Sequence, residues 1–158
     1  MTTIDVVSHS LAQTQRLGAK LAALLGPGDV LLLRGALGAG KTSFTQGIAQ
    51  GLGVNAVVNS PTFVLARQYA GRLDLYHMDY YRLDRPAEPG ELGFDEYFYG
   101  DGVTVVEWPE RATGLPAEHI GVAFKMVSET KRSVLFEPHG TRYERLLAEF
   151  RRNTFGMP

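Results

Sequence analysis

The chain has 158 residues, the size of one ordinary domain, and we expect residues 1–158 to fold as a single domain. It is 44% hydrophobic and 21% charged, and no apolar run approaches the roughly 18 residues that a membrane span needs. With 16 Lys and Arg against 17 Asp and Glu, no global basic field attracts nucleic acid, so any RNA contact is local or shared with a partner. The absence of cysteine excludes disulfides, thiolate metal sites and cysteine nucleophiles.

Residues 1–10 lack the basic stretch and apolar core of a signal peptide, which predicts a cytoplasmic protein without membrane association. Leucines at helical spacing then predict an amphipathic helix over 10–25, with Ser8 or Ser10 as its N-cap. The unalternating apolar run 30–33 predicts a strand that is covered on both faces, as in a parallel sheet between helices. A second helix is predicted directly afterwards, over 41–50.

The middle of the chain predicts strands at 62–69 and 72–80, joined by a tight turn at 70–71 into an antiparallel hairpin. A short helix is predicted over 91–99, and the β-branched run 103–106 predicts a second central strand.

The end of the chain predicts strands at 122–127 and 133–136 and a closing helix over 141–152. The inward residues of that helix are expected to be Tyr143, Leu146, Leu147 and Phe150.

Residues 35–42, GALGAGKT, match the phosphate-binding loop pattern G-x-x-x-x-G-K-[ST] and lie between a predicted strand and a predicted helix. Glycines let successive N–H groups point into one concavity, and the helix start adds its positive dipole end. We therefore expect a polyphosphate site in which Lys41 neutralises phosphate charge and the Thr42 hydroxyl helps to bind Mg²⁺. The alternative is a glycine-rich turn before a helix that happens to contain Lys-Thr. The next residue, Ser43, either contacts a phosphate or merely solvates the helix start.

This motif and the element order predict an α/β fold. We expect a P-loop NTPase-like three-layer sandwich, with a mostly parallel central sheet and an antiparallel hairpin.

A nucleotide site of this kind needs a carboxylate at the end of another strand. Glu107 ends the strand 103–106, and Asp79 ends the segment before it. Each is either part of a metal and water site or a solvated charge at a strand end. Two residues before Asp79, His77 either orients Asp79 or the water, or packs as a structural residue.

Three further features have two interpretations. The string 60–63, SPTF, either senses a γ-phosphate or is a proline turn before a strand. Arg82 either pairs with a carboxylate or phosphate or forms a surface salt bridge. Trp108, the sole tryptophan, either wedges against a nucleotide or partner or packs in the core.

Four strings occur in one order, GALGAGKTSF, SPTF, HMDYYRL and VEWPE, and together they resemble the TsaE family, also called YjeE, of bacterial P-loop ATPases. The resemblance implies an ATP- and Mg²⁺-dependent accessory factor for threonylcarbamoylation of adenosine 37 in tRNAs that read codons beginning with A. It also implies partners, a complex of TsaD and TsaB that the ATPase resets between rounds, with tRNA met only through that complex.

By position, the resemblance implies that Thr42 and Glu107 hold Mg²⁺ and that Asp79 supports the metal or the water, so that Lys41, Asp79 and Glu107 form the catalytic set. Ser10 and Arg132 are the implied base contacts. One departure is Ala36, which stands at a position that is often acidic in the family. The implied phosphate contacts are Gly38, Ala39, Gly40, Lys41, Thr42 and Ser43.

The last helix and tail carry a cluster of arginines, which either meets an acidic partner or tRNA or forms a solvated face. They are Arg142, Arg145, Arg151 and Arg152.

The leading functional hypothesis is a slow, partner-dependent ATPase, because no arginine finger is marked in the loops. A small-molecule kinase is the second hypothesis, although the segment 84–102 is short and acidic for a phosphate-clamping lid. The third is a nucleotide-gated binding module without turnover.

Overall fold

The computed structural model describes residues 3–36, 38–59, 66–81, 95–98 and 100–156. The helices within them are α1 (Leu11–Ala22), α2 (Lys41–Gly51), α3 (Asp95–Phe98) and α4 (Thr141–Phe155), with a 3-10 helix at Pro109–Arg111. The strands are β1 (Ile4–Ser8), β2 (Val30–Arg34), β3 (Ala66–Tyr69), β4 (Leu75–Asp79), β5 (Val103–Glu107), β6 (His119–Met126) and β7 (Arg132–His139).

In the part of the chain that is described, these strands form one sheet in the order β1-β7-β6-β2-β5-β4-β3. The central strands β6, β2, β5 and β4 are parallel to their neighbours in that group. The remaining pairs, β1 with β7, β7 with β6, and β4 with β3, are antiparallel. The predicted parallel centre and the β3–β4 hairpin are confirmed. The β6–β7 hairpin and the β1–β7 pair are also antiparallel, so parallel and antiparallel strand pairs are equally frequent in the described sheet.

The sheet separates two clusters of buried residues. The larger one lies between the sheet and helices α1, α2 and α4, and it includes Leu31 and Leu33 of β2. The smaller one, which includes Leu32, lies on the opposite face under α3 and the segment after β5. Because successive residues of β2 enter opposite clusters, residues 30–33 are all apolar, and only Arg34 at the strand end is exposed. Two unequal outer layers around the sheet therefore make up the predicted three-layer arrangement.

Most predicted elements are confirmed within a few residues of their ends. Ser10, not Ser8, caps α1, because its side chain accepts the N–H of Gln13 at 3.1 Å. All four residues predicted to face inward from α4 are buried. The tight turn at 70–71 is wrong, since five residues, 70–74, connect β3 to β4. The first part of the predicted strand at 62–69 lies outside the described residues, as does most of the helix predicted at 91–99.

Strand β1 was not predicted, although a signal for it was present. Ile4, Val6 and Ser8 alternate with more exposed residues, and they face the side of the sheet that carries α1 and α4. Three positions of alternation are few, and a serine at the last inward position weakens the apolar pattern. In the described ranges, no helix has both the length and the apolar character to cross a membrane.

Helices α1 and α2 approach closely because glycines line their contact. A Cβ at Gly47 would overlap the main-chain oxygen of Gln15, and one at Gly18 would overlap the main-chain oxygen of Phe44. At Gly51, a Cβ would lie 2.6 Å from the Cβ of Ala22. This contact fixes α2, and with it the loop that precedes α2, against the N-terminal helix.

Replacing Gly47 with alanine should therefore destabilise the protein, although alanine favours a helix by about 1 kcal/mol over glycine. We expect the free energy of unfolding in urea to fall by about 1–3 kcal/mol, because the two backbones must separate. Gln50→Ala, on the exposed side of the same helix, is the control and should change it by less than about 0.5 kcal/mol. Equal stability of the two variants would contradict the tight helix contact.

Candidate functional site

The glycine-rich loop leaves the end of the central strand β2 and enters α2 at Lys41. Gly35, Gly38 and Gly40 have backbone φ angles of 147°, 78° and 112°, values that residues other than glycine rarely adopt. The backbone can therefore curl into the concave shape that the motif predicts. At the start of α2, the first-turn N–H groups have no partner within the helix, so they favour a bound anion there.

The Lys41 side chain folds back across this loop. Its Nζ donates to the main-chain oxygen of Gly35 at 2.5 Å. The same Nζ lies 3.8 Å from the centre of the Trp108 ring, a cation–π contact. The amine is thus held over the loop by a carbonyl on one side and an indole on the other.

The two predicted carboxylates lie at the same edge of the sheet as the loop. Strand β5 lies between β2 and β4, and Glu107 is level with Leu33 on one side and Asp79 on the other. Glu107 is buried, with 3% of its surface exposed, whereas Asp79 is half-buried. Asp79 accepts the main-chain N–H of Tyr81 at 2.9 Å. Because carboxyl ends of parallel neighbours meet at one edge, the fold brings both acids beside Lys41.

The Lys41 amine interacts electrostatically with the carboxylates at this edge of the sheet. Burial lowers the pKa of the Lys41 amine below its ordinary value. The carboxylates of Glu107, Asp79 and Glu110 oppose that shift, so all three are within electrostatic reach of the amine. Glu110 is exposed, and sequence analysis did not select it.

Burial also raises the pKa of the Asp79 carboxyl. The hydrogen bond from the Tyr81 main chain lowers this pKa, and so do the charges on His77 and Lys41. The charge on Glu107 raises the pKa. Asp79 therefore responds to the charge on Glu107 and on Lys41, which couples the three predicted catalytic side chains.

The hydrogen-bond partner of His77 is Glu107, which the sequence did not suggest. Nε2 of His77 lies 2.5 Å from Oε2 of Glu107, and both side chains are buried. The sequence suggested Asp79 because it is two residues away on the same strand. The contact with Glu107 crosses to a neighbouring strand, so only the strand pairing could have revealed it.

The core-packing interpretation of Trp108 is confirmed, while its contact with a nucleotide or partner stays a prediction. Trp108 packs against the smaller buried cluster, and it covers Lys41 as well. Its φ of 57° is in the left-handed region, the only such value for a described residue other than glycine. The Trp108 ring therefore lies back over the loop. Its centre is 4.9 Å from the centre of the Tyr81 ring.

Ser10 and Arg132 have structural partners at the other side of the loop. Ser10 caps α1, as described above. The guanidinium of Arg132 donates to the main-chain oxygen of Gly38 at 3.2 Å and to oxygens of the turn after β6. A Cβ on Gly40 would lie 3.8 Å from Cγ of Arg132 and 3.7 Å from Cγ2 of Thr14. The start of α1 and the start of β7 therefore both adjoin the loop, while base contacts by Ser10 and Arg132 stay a prediction.

Other candidate residues divide into two groups. The string 60–63 and Arg82 lie outside the described residues. Of the arginine cluster, Arg142 is not freely solvated, because it donates two 2.6 Å bonds to the buried Asp29. It is thus an anchor between α4 and the start of β2, and the sequence did not indicate this.

No group of three or more His, Asp or Glu in the described ranges is arranged to hold a metal by itself. A Mg²⁺ ion at a nucleotide usually takes one or two protein oxygens and completes its shell with phosphate and water. A hydroxyl at Thr42 and carboxylates at Glu107 and Asp79 are oxygen donors of that kind. The donor set fits Mg²⁺ held together with a nucleotide.

A glycine-rich loop between a central parallel strand and a helix, with acids at the ends of neighbouring strands, places this protein in the P-loop class of α/β proteins. The profile of the family described as "Threonylcarbamoyl adenosine biosynthesis protein TsaE" matches residues 8–134. The chain belongs to the TsaE family.

Relatives support this assignment along most of the chain. The Bacillus subtilis tRNA threonylcarbamoyladenosine biosynthesis protein TsaE is 46% identical over 143 residues, 89% of each chain. The Treponema pallidum protein of the same name is 43% identical and covers 81% of this chain and 96% of its own. The crystal structure of Bacillus subtilis YdiB superposes with a TM-score of 0.83 at 39% identity, covering 96% of both chains.

Arg132 provides a test of how the loop is anchored. Replacing it with glutamine removes charged donors from several main-chain oxygens, and we expect the free energy of unfolding to fall by about 1–3 kcal/mol. The adjacent Lys131→Gln removes an exposed charge and should change it by less than about 0.5 kcal/mol. Urea unfolding measures both, and a similar small effect for the two variants would argue against the anchor.

Proposed function

We propose that this protein is an ATPase that serves as an accessory factor in tRNA threonylcarbamoyladenosine synthesis. The observation that carries the proposal is the meeting of Lys41, Asp79 and Glu107 at the mouth of a glycine-rich loop, in a chain of the TsaE family. A basic amine over the loop and two acids at its edge are the groups that polyphosphate and its cation require.

The loop binds the triphosphate of ATP through main-chain N–H groups at the start of α2, and Lys41 turns from the Gly35 oxygen toward the phosphates. Thr42 and Glu107 are the residues that hold Mg²⁺, and Asp79 supports the metal or orients the attacking water. When bound, Mg²⁺ supplies charge neutralisation at the phosphate oxygens. The residues of this chain orient the phosphates and balance the charges around them.

Turnover is slow without partners. Arg132 is committed to main-chain oxygens, and Arg111 lies 5.4 Å from the centre of the Tyr81 ring and 5.8 Å from that of Trp108. A guanidinium that stabilises transition-state charge is commonly worth about 10³ to 10⁵ in rate. We propose that a complex of TsaD and TsaB completes the site in the cytoplasm, and that hydrolysis resets that complex, with tRNA met only through it.

Purified protein, alone and with TsaD plus TsaB, should show this dependence in a phosphate-release assay. We expect the partners to raise the turnover number at least about tenfold, because a supplied cationic group stabilises the transition state. ATP consumption that depends on a small-molecule acceptor would instead indicate a kinase. Binding without turnover under either condition would indicate a nucleotide-gated module.

Variants of Lys41 and Glu107 separate binding from turnover. Lys41→Ala should weaken ADP binding by about 30–150-fold, the loss of one strong charged contact, as measured by calorimetry. Glu107→Ala should not weaken ADP binding without Mg²⁺, because it removes a negative charge beside Lys41. It should lower ATP turnover about a hundredfold or more, because metal stabilisation supplies several kcal/mol.

Glu110→Ala is the matched control, since Glu110 also acts on Lys41 but is exposed. It should retain turnover within about twofold, because an exposed charge near the amine is screened by solvent. Equal turnover in the Glu107 and Glu110 variants would remove Glu107 from the site.

A further inference from the structure

The bond between His77 and Glu107 lies beneath the candidate site. His77 is in β4 and Glu107 ends the neighbouring β5, and in register His77 is level with Val105. The two side chains therefore meet diagonally across the parallel pair, with 2.5 Å between Nε2 and Oε2. His77 is 0% exposed and Glu107 is 3% exposed.

A carboxylate this deeply buried requires a hydrogen-bond donor, or its desolvation is not compensated. Nε2 of His77 is such a donor in the tautomer that carries its proton there. The glutamate side chain has several rotatable bonds, and a hydrogen bond from His77 favours the rotamers that place Oε2 of Glu107 against Nε2. The histidine thus restricts where the carboxylate can be.

The other ring nitrogen indicates what the histidine contributes. Nδ1 is buried and has no hydrogen-bond partner among the described residues. An unpartnered polar atom in the core costs stability, so an apolar side chain would serve packing better. The polar contribution of the ring is therefore the single bond from Nε2 to Glu107.

We propose that His77 is a positioning residue that holds the Glu107 carboxylate in place for Mg²⁺-dependent nucleotide binding and turnover. It touches neither phosphate nor metal and acts only through Glu107. The inference rests on the proposed function, since Glu107 must have a role at the nucleotide for its position to matter. Groups that orient a metal-binding side chain in this way commonly affect metal affinity or activity by about 10–100-fold.

Two amide substitutions test which ring nitrogen matters. The glutamine amide reaches about as far as Nε2, whereas the asparagine amide reaches only as far as Nδ1. His77→Gln therefore keeps the bond to Glu107, and His77→Asn loses it. Both variants place a polar amide in the same buried position, so the cost to packing and folding is largely shared and can be compared by urea unfolding.

Two measurements are made on the full chain. The first is the factor by which Mg²⁺ strengthens ADP binding in calorimetry, and the second is ATP turnover with TsaD and TsaB against Mg²⁺ concentration. We expect His77→Asn to lower both by about 10–100-fold and to raise the Mg²⁺ concentration at half-maximal turnover. His77→Gln should recover most of the loss, and ADP binding without Mg²⁺ should be the same in all three proteins.

A Glu107→Gln background separates positioning from a general structural effect. If His77 acts only through Glu107, then neither His77 variant lowers turnover or Mg²⁺ coupling further in that background. Losses that multiply with the Glu107 change would overturn the inference, as would equal behaviour of His77→Asn and wild type, or of His77→Asn and His77→Gln.

Failure of the proposed function gives a different result. A wild-type protein that binds no adenine nucleotide with Mg²⁺, alone or with its partners, overturns the proposed function and this inference with it. A wild-type protein that binds ADP in a Mg²⁺-dependent way without turnover still tests His77, because the calorimetric factor decides the outcome.

Discussion

The parallel pairing of β2, β5 and β4 is the constraint on which the candidate site depends. The carboxyl ends of neighbouring parallel strands lie at the same edge of the sheet. The register that places Glu107 beside Leu33 and Asp79 therefore also sets the distance from the loop to both acids. A slip by one residue would turn Glu107 to the opposite face. The apolar side chains of β2, buried in a different cluster on each face, hold that register.

Charge balance at this edge determines how the side chains are held. Lys41 and Glu107 are both buried, and a buried charge is stable only with partners. The Gly35 oxygen and the Trp108 ring contact the amine, and His77 contacts the carboxylate. The protein thus supplies contacts for both charged groups, and one contact of Lys41, the Gly35 oxygen, lies in the loop itself.

The sequence was sufficient to predict the loop, the strand before it and the helix after it, because motif and periodicity agree over residues 30–50. It also indicated Asp79 and Glu107, because both come at the end of apolar runs. It could not indicate the His77–Glu107 bond or the anchoring of the loop by Arg132, since both join residues far apart in the chain. Strand β1 was missed because its alternation is short and its core-facing residues include a serine.

The position of Trp108 gives the protein an internal optical probe. It is the sole tryptophan, and its half-buried indole lies 3.8 Å from the amine of Lys41. Because the chain has one tryptophan, its indole emission originates at the mouth of the loop. That emission depends on nearby charge, including the charge on the Lys41 amine. Any ligand that draws the amine away alters the light from that one ring, without a dye and without disturbing the fold.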